Sequence, residues 1–66
     1  MDRVEMRKEL ISVGNYAKKL REQAMFSRKE WAKELKIPLT TIENFENGRV
    51  NNAVLLYEYI KLSSEY

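Results

Sequence analysis

The sequence predicts a compact all-α domain of four to five helices. Three observations predict it. Only two glycines and one proline punctuate 66 residues. Apolar residues recur at helical spacing along most of the chain, and strand-type alternation is nowhere evident. The few breakers, Gly14, Pro38 and Gly48, are expected near element ends. This length leaves room for one domain, residues 1–66. Such a domain buries only about 60% of its unfolded surface.

The elements follow in order. Residues 1–12, MDRVEMRKELIS, are charged, with a weak apolar pattern through Val4, Leu10 and Ile11. They read as an N-terminal extension, a helix that extends or precedes the next one. Over residues 13–24, Val13, Ala17, Leu20 and Ala24 stand at i, i+4, i+7 and i+11. That is one stripe of an amphipathic helix, with Lys18, Lys19 and Glu22 outside it. Gly14 is expected near an element end.

Ser27-Arg28-Lys29-Glu30 is a capping box that opens a helix over 27–35. This helix buries Trp31, Ala32 and Leu35, and Trp31 reads as core rather than as a stacking platform. Residues 36–37 leave room only for a turn. Pro38 suits the first position of the next helix, where a missing N–H is harmless. That helix stops at Asn47-Gly48, and residues 49–52 form a loop. The last helix, about 53–64, is apolar on more than one face. One face must close the core. The other is open to a second subunit, with Leu55, Tyr59 and Leu62 as candidates.

Composition excludes several function classes. The chain has no cysteine and no histidine. Disulfides, thiolate or imidazole zinc sites and a serine nucleophile with its usual base are therefore all excluded. The acidic residues lie in charge-mixed helical patterns that read as solvated faces. No enzyme activity and no cofactor are expected. No signal peptide is apparent, and no apolar run approaches the ~18 residues of a membrane span. Twelve basic against ten acidic residues give a net charge of +2. This excess permits nucleic acid as a partner without demanding it.

The pattern Ala32-x-x-Leu35-Lys36-Ile37-Pro38-x-x-x-Ile42-x-x-Phe45-Glu46-Asn47-Gly48 resembles the helix-turn-helix of the lambda-repressor and Cro-like family (the xenobiotic-response-element type). Val13-Gly14, Ala17 and Leu20-Arg21 match that family's first helix, so the likeness spans about residues 13–62. The helix-turn-helix itself falls on 27–47. The resemblance implies a pairing of Arg21 with Glu46, which ends the second helix of the motif. It also implies double-stranded DNA as partner, a homodimer, regulation of transcription, chiefly repression, and a cytoplasmic setting. The chain departs from the family at Lys36 and Met25, where glycine is frequent, and at Pro38, where serine or threonine usually caps. The fifth helix of many relatives is not expected.

A helical wheel places Leu39, Ile42, Phe45 and Glu46 on one side of this helix. Thr40, Glu43, Asn44 and Asn47 fall opposite, with Leu39 and Thr41 at the margins. Glu46 thus turns inward. Asn can bond bidentately to adenine, Glu can accept from the cytosine amino group, and Thr and Leu can touch a thymine methyl. A reading face need not be basic, because phosphate contacts come from its flanks. Arg28 and Lys29 would supply one flank, at the amino end of their helix. Arg49 and the amides of Asn51 and Asn52 would supply the other, with Lys18 or Lys19 as additions. The same polar residues also suit a plain solvated face. A rival reading from another class is a protein-binding module of the same fold: an antirepressor, antitoxin or inhibitor using the apolar last helix or the Glu43 face.

Overall fold

The computed structural model describes residues 2–65, with side chains through residue 63. Met1 and Tyr66, at the ends of the expected domain, lie outside the described residues. Among the described residues there are four helices and no strand: α1 (Arg3–Gln23), α2 (Arg28–Leu35), α3 (Leu39–Glu46) and α4 (Ala53–Glu65). Helix α1 packs against α3 and α4, and α2 against α3. No described helix is long and apolar enough to cross a membrane.

Residues 3–12 of the expected extension belong to helix α1. The extension and the expected 13–24 helix are one element of 21 residues. At 1.5 Å per residue it runs about 31 Å, nearly the full 34 Å length of the domain. Asp2 starts it, accepting from the Glu5 amide at 2.9 Å. The first turns stand clear of the domain, since residues 2–9 are all exposed.

Gly14 is not near an element end, as expected, but buried in the middle of α1. Its place follows from α3. A Cβ there would sit 2.8 Å from the Phe45 carbonyl oxygen and would collide with that of Glu46. The missing side chain lets α1 lie directly on the carboxyl end of α3. One turn earlier, Ile11 lies against Gly48, where a Cβ would meet the Ile11 Cα at 2.8 Å.

Helices α1, α2 and α3 all end in the same way. The amides of Met25 and Phe26 donate to the carbonyls of Glu22 and Arg21. Those of Lys36 and Ile37 donate to Lys33 and Ala32, and those of Gly48 and Arg49 to Phe45 and Asn44. This paired stop needs one left-handed residue. Met25 (φ 66°), Lys36 (φ 59°) and Gly48 (φ 73°) supply it. Two of the three carry a Cβ where glycine is at ease.

Helix α3 starts one residue later than expected. Pro38 is its N-cap, with φ −62° and ψ 145°, and makes no side-chain capping bond. Helix α2 starts as expected. The Ser27 hydroxyl accepts from the Glu30 amide, and the Glu30 carboxylate accepts from the Ser27 amide, both at 3.0 Å.

The core joins Ala17 and Leu20 of α1, Trp31 and Ala32 of α2, Ile42 and Phe45 of α3, and Leu55, Tyr59 and Leu62 of α4. Aromatic rings run through it. Phe26 meets Trp31 at 5.1 Å, Trp31 and Tyr59 meet in a T-shaped pair at 5.5 Å, and Tyr59 stacks on Phe45 at 5.5 Å. Such pairs add about 0.5–1.5 kcal/mol each beyond area burial. The α4 residues expected to meet a second subunit, Leu55, Tyr59 and Leu62, are thus interior. The wide apolar pattern hid which face turned in. Val54, Tyr57 and Ile60 are the large apolar residues that α4 leaves exposed.

Two stability predictions follow from the backbone. Glycine to alanine inside a helix ordinarily stabilises by about 1 kcal/mol. Here Gly14→Ala reverses the sign and destabilises by about 1–3 kcal/mol or more, because the helix–helix approach cannot relax. Lys36→Gly and Met25→Gly each stabilise by about 1 kcal/mol, by relieving a left-handed Cβ. Lys36→Ala, which keeps that Cβ, does not. Urea unfolding of the four variants checks all of these.

Candidate functional site

The best-defined polar site is built on one carboxylate. Glu46 ends α3 with its side chain fully buried. Each of its oxygens accepts two hydrogen bonds. Oε2 accepts from Arg21 Nε at 2.8 Å and from the Tyr59 hydroxyl at 2.7 Å. Oε1 accepts from Arg21 Nη2 at 3.0 Å and from Arg28 Nε at 3.2 Å. Arg21 is itself buried, and its Nη1 donates to the Phe26 carbonyl at 2.7 Å. The expected Arg21–Glu46 pair is therefore present, as a two-bond fork. Such forks are among the strongest protein hydrogen bonds.

Burial pushes the Glu46 carboxyl upward, but the bonds from Arg21 and Tyr59 and the Arg21 charge outweigh it. The net shift is below the ordinary carboxylate range. The bond to Glu46 raises Arg21 further above its already high value. Burial and the same carboxylate push the Tyr59 phenol far up, so it stays a donor.

Arg28 departs from expectation. It was expected only as a surface clamp at the start of α2. Its Nε is instead turned onto Glu46, and its side chain is 35% exposed. Geometry explains this: α2 packs on α3, and the Glu46 Oε1 still has room for a second donor. The two Nη groups of Arg28 make no hydrogen bond among the described residues. Two guanidinium groups neutralise the one buried carboxylate.

The outer face of α3 carries the expected residues. Thr40 and Asn47 are exposed, and Glu43 and Asn44 are half-buried. Leu39 stands at the open margin, 37% exposed, rather than in the inner cluster. Thr41 lines a shallow cleft of about 250 Å³ with Leu35, Ile37, Val54 and Leu55, which puts it on the α4 side. Lys29 and Arg49 are exposed on the two flanks. Arg49 Nη1 also donates to Asn44 Oδ1 at 3.4 Å. Asn51 is exposed, while the Asn52 side chain caps α4 by accepting from the Leu55 amide at 3.0 Å. Lys19 is exposed and Lys18 half-buried on α1.

Sequence reasoning missed two members of the carboxylate cluster, Tyr59 and the Nε of Arg28. A signal existed. A buried carboxylate has about four acceptor sites to satisfy, and Arg21 fills only half of them. Among the described residues no group of His, Cys, Asp and Glu could hold a metal ion. Comparisons of the chain with protein-family profiles, curated proteins and solved structures find no match.

Glu46→Ala strands Arg21 in the interior and costs about 3–5 kcal/mol, enough to unfold much of a domain this small. Melting within a degree or two of wild type would contradict the buried pair. The pH dependence has a definite sign. Glu46 is depressed in the folded state, so the unfolded chain binds its proton first as pH falls. Its contribution is complete above the ordinary glutamate value of about 4.3 and is lost as pH drops through the folded value. Urea midpoints between pH 7 and pH 2 should fall on that acid limb. In Glu46→Gln the fall should be shallower.

Proposed function

We propose that this chain is a lambda-repressor/Cro-like helix-turn-helix protein that binds double-stranded DNA sequence-specifically and regulates transcription, as a repressor. Helix α2, the turn through Lys36 and Ile37, and α3 form the motif, and α3 enters the major groove. The observation that carries this reading is the sorting of charge on α3. One of its two carboxylates, Glu46, is buried and paired with both Arg21 and Arg28. The outward face then offers Thr40, Glu43, Asn44 and Asn47 to base edges, with Leu39 and Thr41 at its margins. Arg28 and Lys29 on one flank and Arg49 on the other hold phosphates. Arg28 does both jobs: Nε fixes it to Glu46, and its Nη groups are left to bind a phosphate.

The protein acts as a homodimer in this reading, with half-sites about 34 Å apart or a multiple of it. Exposed Val54, Tyr57 and Ile60 on α4 are the apolar surface available to a second copy. The same residues favour a second reading, a protein-binding module that docks a partner on α4. The setting is cytoplasmic, with no catalysis and no cofactor.

Selection from a random duplex pool tests the first reading. An enriched palindrome is expected, and affinity for it should fall with salt at a log–log slope near −0.9 per phosphate neutralised. Asn44→Ala should cost about 1–3 kcal/mol per half-site and relax preference at one base position. Arg28→Ala should weaken binding to all duplexes alike and flatten the salt slope by about one unit per protomer. It should also melt below wild type, because Glu46 loses a donor. An unchanged ratio of specific to non-specific affinity in Asn44→Ala would move the protein-binding reading to first place. Sedimentation as a monomer at high micromolar concentration, with and without DNA, would contradict the dimer.

A further inference from the structure

The turn that ends α3 does more than stop a helix. The Arg49 amide donates to the Asn44 carbonyl at 2.9 Å, and the Gly48 amide to that of Phe45 at 3.1 Å. In this kind of stop, the residue after the left-handed one lies beside the residue five positions back. The pair is usually apolar. Here it is Arg49 and Asn44, and the contact is polar: Arg49 Nη1 donates to Asn44 Oδ1 at 3.4 Å. The backbone lock sets the two residues side by side, within reach of this contact.

We propose that Arg49 sets the hydrogen-bonding polarity of Asn44. With its oxygen turned to the guanidinium, Asn44 meets the groove with its amino donors, and the base it selects is guanine. This rests on the DNA-binding reading above and deepens it. Adenine shows the major groove one acceptor, N7, and one donor, the N6 amino group. Bidentate pairing to adenine needs the Asn44 oxygen as well as its nitrogen. One lone pair does remain on that oxygen. A guanidinium beside it, however, places positive charge where the adenine amino hydrogens would approach. Guanine shows two acceptors, O6 and N7, and no donor on that edge. The Asn44 amino group and the Arg49 charge both favour it. Arg49 is thus a positioning residue for Asn44 as well as a phosphate clamp.

The test is duplex selection with wild type, Asn44→Ala, Arg49→Leu and Arg49→Lys. The position that Asn44→Ala relaxes is the one to read. Wild type and Arg49→Lys, which keeps a donor and the charge, should prefer guanine over adenine there by about tenfold. Arg49→Leu should bind all duplexes more weakly and shift that ratio toward adenine by about tenfold. Loss of a phosphate contact alone would leave the ratio unmoved, so an unmoved ratio overturns the inference. Adenine at that position in wild type overturns it without touching the DNA-binding reading. Failure to enrich any sequence overturns both.

Discussion

The carboxylate of Glu46 is the point on which the rest of the structure depends. Each of the four helices brings one group to it: Arg21 from α1, Arg28 from α2, Glu46 itself from α3 and Tyr59 from α4. Burying such a charge is unfavourable unless its acceptors are filled. Here both oxygens take two bonds. The cluster also discriminates between packings. A shift of any helix by part of a turn would leave a donor or an acceptor unpaired in the interior, which costs more than a lost apolar contact. A domain with so small a core gains a single arrangement from this one group.

Close backbone approach supports the same end of α3. Gly14 allows α1 to rest on the carbonyls of Phe45 and Glu46, and Ile11 closes over Gly48. The carboxyl end of α3 is therefore held by side-chain bonds, by α1 and by its own paired stop. Its amino end is held more lightly, since Pro38 makes no side-chain cap. The left-handed residues at Met25, Lys36 and Gly48 set the three changes of direction between helices. Strain at two of them is tolerated because the stops keep their paired backbone bonds.

Much of this was legible in the sequence, and the legible parts are local. The Ser27–Glu30 capping box, the Gly48 stop and the short turn at residues 36–37 depend on neighbours within a few residues. The inward turn of Glu46 and its pairing with Arg21 followed from helical spacing and the family likeness. The illegible parts depend on how helices meet. Gly14 looks like a breaker until α3 is laid on it. Helix α4 has apolar residues all round, so the sequence pattern could not choose between Tyr59 and Tyr57 as the inward ring. Arg28 reads as a surface residue because its partner lies 18 positions away. Asn44 reads as a free amide because its contact is with a residue outside its own helix. The outer face of α3 was legible as a set, with Leu39 and Thr41 at its margins, while packing alone shows that Leu39 is open and that Thr41 lies on the α4 side.

These features share a consequence for α3 in the proposed role. A helix with two glutamates and no cation can approach nucleic acid only if its charge is managed. Burial of Glu46 under two arginines does this, and it leaves Glu43 as the one carboxylate on the outer face. The most direct measurement is an NMR titration of side-chain carboxyl carbons in the intact protein. Glu46 should titrate below the ordinary glutamate value, and no proton should bind it until the domain begins to unfold. A Glu46 that titrates at the ordinary glutamate value of about 4.3 would contradict the buried cluster and the account built on it.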